Sequence, residues 1–127
     1  MVNIKVNGNE YDLLFNGAAM FAIKEKFDGD NISDLIKDDT ALCFQRACKI
    51  AVILAEQGEL LRRYMGHTPC ETLTEDELRL SISPLSIYAL KNKLSEAMMD
   101  GYKREVTDEN GEVDLGLAEL NKKKVIP

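Results

Sequence analysis

The sequence predicts an α+β fold, mainly α, in which an N-terminal β-hairpin packs on a bundle of about four to five helices and a flexible C-terminal tail follows. Two strand-like runs surround Asn7–Gly8, and apolar residues then recur at helical spacing as far as Tyr102. Beyond Tyr102 the chain is rich in charge and poor in large apolar residues. We therefore expect a single domain over residues 1–104 and a flexible tail over residues 105–127.

The composition predicts a core of aliphatic side chains. Hydrophobic residues make up 45% of the 127 positions, while the chain has only four Tyr, four Phe and no Trp. A single domain of this length hides roughly two-thirds of its extended-chain surface, which is enough for a real core.

The N-terminal hairpin is predicted over residues 2–15. Val2, Ile4 and Val6 alternate with polar residues, and the run EYDLLF supplies the second strand. Asn7–Gly8 is a strong hairpin signal because both positions tolerate positive φ. Two strands alone are marginal in water, so their apolar face is expected to lie against helices.

The first helix is predicted over GAAMFAIKEKF, with Asn16 as its N-terminal cap. Its apolar stripe comprises Ala19, Met20, Ile23 and Phe27. Gly29 is suited to the left-handed conformation that often ends a helix. A short amphipathic turn, ISDLI, follows, and its inward-facing residues are expected to be Ile32, Leu35 and Ile36.

The central element is a helix predicted over roughly residues 41–65 and opened by Thr40. Between Ala47 and Ala55 only Lys49 is charged, which indicates burial on several sides. The last turns are amphipathic, with an apolar face of Leu60, Leu61, Tyr64 and Met65 against a charged face of Glu59, Arg62 and Arg63. Gly58 marks either a kink or a close approach by another backbone.

Two further helices are predicted after the loop GHTPCET. Thr74 and Glu77 form a capping box ahead of EDELRLSI. Ser83 is then expected to cap the last helix, with Pro84 at its first helical position. The apolar face of that helix, which ends at Gly101, comprises Ile87, Leu90, Leu94, Ala97 and Met98. A small hairpin at Asn110–Gly111 is the alternative to a flexible tail.

Charge and hydropathy argue against nucleic-acid and membrane partners. The net charge of −6 repels phosphate at long range, and the only candidates for a local basic patch that could bind nucleic acid are Lys103–Arg104 and the lysines near the C-terminus. The longest apolar stretch, IAVILA at residues 50–55, is too short to cross a bilayer. The N-terminus lacks the apolar run of a signal peptide, so we expect an intracellular protein with free thiols.

The sequence also argues against an enzyme, a metal site and a cofactor. His67 is the single histidine; with Cys70 it supplies at most two zinc ligands, and the chain has no CxxC motif. No nucleophile motif surrounds His67, and no glycine-rich phosphate loop follows a strand.

Surfaces therefore remain as the candidate functional features. Residues suited to contacts lie at the ends of the two strongest helices: Tyr64, Met65, Met98, Met99 and Tyr102. Met adapts to varied contact surfaces, and Tyr presents both an apolar ring and a polar tip. The alternative is that these residues merely close the edge of the core. Met99 is the one that the core stripe explains least.

The order of these parts resembles a known family. The hairpin IKVNGNEYDLLF, the small-residue helix GAAMFAIKEKFDG, the turn ISDLI and a long aliphatic helix follow one another directly. This arrangement, over roughly residues 2–102, is similar to that of the tail assembly chaperones of long-tailed bacteriophages and prophages, particularly those from Gram-positive hosts.

The resemblance implies a non-enzymatic helical protein that coats the tape measure protein and helps bring tail tube subunits to it. Such a protein would work in the cytoplasm of the bacterial host and be absent from the mature virion. The alternatives are a minor structural phage protein, for head–tail or tail completion, and a small helical regulator that binds a host protein. The sequence leaves open whether the chain forms a homo-oligomer.

The run NKKKVIP, at residues 121–127, gains a meaning from this resemblance. Many members of the family are made in two forms, the longer one by a −1 ribosomal slip near the end of the first reading frame. Asn-Lys-Lys-Lys requires A-rich codons, which can contain a slippery heptamer. We hypothesise that this chain is the short form, with the slip site at its lysine codons.

Overall fold

The structure, a computed structural model, describes residues 1–29 and 31–103 together with Gly111 and Gly116. Within these residues it has two strands and five helices, of which the second helix is a single turn. The predicted mainly α variant of an α+β fold is therefore confirmed. The predicted tail at residues 105–127, its alternative hairpin and the lysine run fall outside the described residues, apart from the two glycines.

The hairpin consists of β1 (Asn3–Val6) and β2 (Asn9–Asp12), which pair in antiparallel register. Asn7 has a φ of 54° and Gly8 a φ of 82°, so both turn residues adopt the left-handed conformation that a tight hairpin needs. The hairpin predicted from Asn7–Gly8 is confirmed.

The end of the hairpin is fastened to the middle of the longest helix, α3 (Ala41–Tyr64). The backbone N–H of Leu14 donates to the carbonyl of Leu54 over 3.1 Å. A Cβ atom added at Gly58 would overlap the carbonyl oxygen of Asp12. Gly58 therefore marks a close approach by another backbone, which decides between the two predicted alternatives.

Helix α1 (Gly17–Phe27) begins as predicted, since the side chain of Asn16 accepts a hydrogen bond from the backbone N–H of Ala19. Its end differs from the prediction. Asp28, with a φ of 55°, takes the left-handed position that the sequence assigned to Gly29. Asp is among the few residues whose short polar side chain tolerates this conformation. Helix α2 (Ile32–Leu35) follows, with Ile32 and Ile36 buried.

Helix α3 is the centre of the domain, as predicted. Thr40 caps it by accepting a hydrogen bond from the N–H of Cys43 over 3.2 Å. The helix contacts β2 and each of the other four helices. Ile50 and Leu54 are fully buried, whereas Ile53 is only partly buried. The predicted face of its last turns is wrong, because Glu59 points inward and is 7% exposed while Leu60 and Tyr64 are about half exposed, at 47% and 50%.

The last two helices are α4 (Glu75–Ser81) and α5 (Ser86–Tyr102). Thr74 caps α4 by accepting from the N–H of Glu77. Although α5 begins two residues later than predicted, Ser83 and Ser86 make reciprocal capping bonds: each hydroxyl accepts from the other's backbone N–H, over 3.1 and 2.8 Å. The apolar face predicted for α5 is confirmed, because all five of its residues are buried.

Candidate functional site

The structure separates the five predicted contact residues by exposure. Met99 is 49% exposed and Tyr102 63% exposed, and Tyr64 is half exposed. Met65 is partly buried at the C-terminal cap of α3. Met98 is only 6% exposed and packs within the core. In this fold Met98 therefore closes the edge of the core, which was the alternative interpretation of these five residues.

Met99 and Tyr102 form one exposed group, which we call the α5 patch. They are three residues apart on one helix, so their side chains are neighbours. The Tyr102 ring lies 5.6 Å from the ring of buried Phe15, and Met99 lines a shallow depression with Val2. The close approach of Gly101 to Phe15 fixes the patch beside the hairpin, since a Cβ at Gly101 would come within 2.5 Å of the Phe15 carbonyl oxygen.

Leu60 and Tyr64 form a second exposed group, the α3 patch. They lie four residues apart on α3 and therefore share one face of the helix. Asn16, at the start of α1, donates to the side chain of Gln57 over 3.1 Å, which brings α1 beside the same helix one turn earlier. Tyr64 was among the contact residues predicted from the sequence, whereas Leu60 was not, so the structure adds Leu60 to this surface.

The exposure of the α3 patch follows from the burial of Glu59. The Glu59 carboxylate accepts from Arg62 over 2.6 Å, from Arg63 over 2.9 Å and from the backbone N–H of Cys70 over 2.8 Å. Arg63 also donates to the carbonyl of Cys70 over 2.9 Å. A buried carboxylate needs such partners. Through its bonds to Cys70, this network holds the loop after α3 against the helix, with the Glu59 side chain on the inner face.

These contacts change the acid–base properties of the site. Burial by itself would raise the pKa of Glu59, but the hydrogen bonds from Cys70, Arg63 and Arg62 outweigh it, so the pKa is lowered from the usual 4.5. The pKa of Glu75 is also lowered, chiefly by its hydrogen bond from Lys49 and against the effect of burial. Both carboxylates are therefore charged at neutral pH and act as structural anions.

The sequence contained one signal for this network. Arg62 and Arg63 lie three and four residues after Glu59, the spacing at which helical side chains pair. That spacing fits an exposed ion pair equally well. The third partner, Cys70, comes from a loop, and helical periodicity carries no information about where a loop folds.

A further aromatic contact lies near the N-terminal ends of α3 and α5. The rings of Phe44 and Tyr88 are 6.0 Å apart in an edge-to-face arrangement. The Lys91 ammonium lies 5.5 Å from the Phe44 ring and 5.9 Å from the Tyr88 ring, and it also pairs with Asp39 over 3.3 Å. This group joins α5 to the start of α3 and leaves Tyr88 45% exposed.

Metal-ligating side chains are not brought together in the described part of the chain. No three His, Cys, Asp or Glu side chains there lie close enough to hold a metal ion. Cys43 and Cys48 are buried free thiols, and Cys70 is an exposed one. Burial raises the pKa of the Cys48 thiol. None of the helices in the described residues has the length and hydropathy needed to cross a membrane.

Comparison of the chain with protein-family models, with curated proteins and with solved structures gave no match. The resemblance to phage tail assembly chaperones therefore rests on the order of elements in the sequence.

Proposed function

We propose that this protein is a non-enzymatic bacteriophage tail assembly chaperone that binds the tape measure protein and helps recruit tail tube subunits. On this proposal it works in the cytoplasm of the bacterial host and does not remain in the mature virion. The observation that carries the proposal is the exposure of large apolar side chains in neighbouring pairs, Leu60 with Tyr64 and Met99 with Tyr102. The sequence resemblance supplies the identity of the partners.

Such pairs suit a helical partner. Side chains three or four residues apart form the ridges by which one helix packs into the grooves of another. Leu, Met and Tyr can cover the apolar stripe of an unassembled helix, and Tyr keeps its hydroxyl in water. A long tape measure protein exposes many such stripes before assembly, and covering them would prevent its aggregation.

Co-expression with the tape measure protein from the same genome tests the proposal. We expect this chain to raise the soluble fraction of the tape measure protein and to co-purify with it. Leu60→Lys and Met99→Lys should each reduce co-purification because they place a charge within an apolar contact. Leu80→Lys is the matched control, because Leu80 is 89% exposed on α4 and lies outside both patches.

Two further observations separate this function from its alternatives. Mass spectrometry of purified virions should not detect the chain; finding it there in fixed amount would make it a structural component. The gene should lie between a tail tube gene and a very long tape measure gene. A gene far from both, together with no effect on tape measure solubility, would overturn the proposal.

A further inference from the structure

A groove of about 440 Å³ runs between β1 and the two C-terminal helices. One wall is formed by β1, from Asn3 to Val6, together with Asn7 and Glu10 of the same hairpin. The other wall comes from α4, α5 and the link between them. Its apolar side chains are those of Leu78, Ile82, Ala89 and Leu90, and Ser81, Ser86 and Lys93 also line it. Neither the α3 patch nor the α5 patch lines this groove.

The wall formed by β1 is a free strand edge. The N–H of Leu13 donates to the carbonyl of Val2 over 2.8 Å, which makes Val2 and Leu13 a hydrogen-bonded pair. Hydrogen-bonded and non-hydrogen-bonded pairs alternate along an antiparallel ladder. Asn3 and Lys5, opposite Asp12 and Glu10, are therefore the residues whose backbone groups point away from β2.

These outward groups are available for pairing. The backbone N–H and C=O of Asn3 and Lys5 make no hydrogen bond with any residue of the described chain. A strand edge of this kind recognises another extended backbone, while neighbouring pockets select alternate side chains. The apolar wall lies where those alternate side chains would enter.

The charges around the groove favour an acidic occupant. Lys5 and Lys93 both line it, against a single carboxylate, Glu10. The Lys93 side chain is 48% exposed, and its own ion pair with Glu96 spans 3.5 Å at the surface. A second copy of β1 is a poor occupant, because its sequence NIKV would bring a further lysine and no acidic residue.

We propose that the free edge of β1 binds, by strand addition, an extended segment of a partner protein that alternates apolar with polar residues and carries Asp or Glu among the polar ones. The apolar residues enter the groove against Ile82 and Ala89, and the acidic residue pairs with Lys5 or Lys93. This inference does not rest on the proposed function, since it uses a different surface.

Selection from a displayed library of random dodecapeptides on the full-length protein tests the inference. Enriched peptides should alternate apolar and polar residues and contain Asp or Glu. Ala89→Arg fills the groove from an exposed helical position and should weaken their binding at least about tenfold. Ala18→Arg, at an exposed position of α1, is the matched control and should leave it unchanged.

A second variant tests the backbone pairing itself. Asn3→Pro removes an outward N–H without removing a bond between β1 and β2 and without removing a charge, and proline is tolerated on edge strands and at the first residue of a strand. It should weaken peptide binding, while circular dichroism shows the helices intact. On the unmodified protein, bound peptide should slow amide hydrogen exchange at Asn3 and Lys5.

Three results would overturn the inference. One is that all enriched peptides have apolar residues at helical spacing, or that no enriched peptide binds less well to the Ala89→Arg variant. Another is equal sensitivity to Ala89→Arg and Ala18→Arg. The third is a dimer in sedimentation that Ala89→Arg dissociates, which would assign the edge to a second copy. Because this test uses random peptides and a different surface from the tape measure experiment, failure here would leave the proposed function standing.

Discussion

Glu59 shows how one side chain can reverse the face of a helix. Its carboxylate is 7% exposed and accepts bonds from two arginines and one backbone N–H, so it is stable as a buried anion. With Glu59 inside, Leu60 and Tyr64 are carried to the surface. The candidate contact surface of α3 therefore depends on a polar network rather than on the apolar pattern.

Glu59→Gln should lower the free energy of unfolding at pH 7 by about 2 kcal/mol, because hydrogen bonds to a charged group are replaced by weaker or mismatched ones. The folded-state pKa of Glu59 lies below its ordinary 4.5. Its contribution is therefore complete above about pH 4.5 and is lost as the pH falls through the folded-state pKa.

Urea unfolding measured from pH 7 to pH 3 checks this prediction. The unmodified protein should lose more stability on acidification than the Glu59→Gln variant. Glu56→Gln, at an exposed position of the same helix, is the control and should keep the original pH dependence. Parallel curves for all three proteins would show that Glu59 is not a lowered-pKa group.

Gly58→Ala is a second test at the scale of one residue. In an open helix this change would stabilise by about 1 kcal/mol. Here the added Cβ overlaps the carbonyl of Asp12, so we expect a loss of several kcal/mol instead. Gly17→Ala is the control, since its Cβ would meet only a Phe21 ring carbon at 3.9 Å. A melting temperature that rises in Gly58→Ala would contradict the close approach of β2.

At the scale of elements, the sequence predicted what local chemistry determines. Asn16, Thr40 and Thr74 each cap the helix that the pattern placed after them, and Asn7–Gly8 turns the hairpin. These signals act within a few residues of one another. The inner face of the last turns of α3 could not be predicted, because it depends on Cys70, which reaches Glu59 only through the tertiary fold. The end of α1 was predicted one residue too late, because both Asp28 and Gly29 can adopt the left-handed conformation and the sequence does not say which one does.

The orientation of α3 leads to a prediction about two adjacent residues. Leu54 is fully buried and its carbonyl accepts the bond from Leu14, whereas Ile53 is only partly buried. Leu54→Ala should cost about 3 kcal/mol, within the range for buried leucines, and Ile53→Ala clearly less. Denaturant unfolding of the two variants measures the difference. An equal or larger loss for Ile53→Ala would mean that α3 is rotated from the orientation described.

At the scale of the whole molecule, one apolar core joins every element. The buried apolar residues of the described chain extend from Val6 to Met98 and come from the hairpin, from the five helices and from the segments between them. The hairpin and the segment after it approach the helices closely at two glycines: Gly58 on α3 lies against the backbone of Asp12, and Gly101 on α5 lies against the backbone of Phe15. The free edge of β1 and the two apolar patches therefore lie on elements that share one core, and a partner can bind them without unfolding the domain.

This arrangement predicts the effect of truncation. Removing residues 105–127 keeps the whole described core and the contact between Phe15 and Tyr102. The melting temperature should therefore change by less than about 4 °C, which corresponds to under about 1 kcal/mol for a domain of this size.

Truncation after Met98 is the matched comparison. It removes Gly101 and Tyr102, leaves one side of Phe15 uncovered and should lower the melting temperature by more. Calorimetry of the two truncated chains beside the full chain decides the matter: a large drop for the 1–104 chain would show that residues 105–127 contribute to the domain.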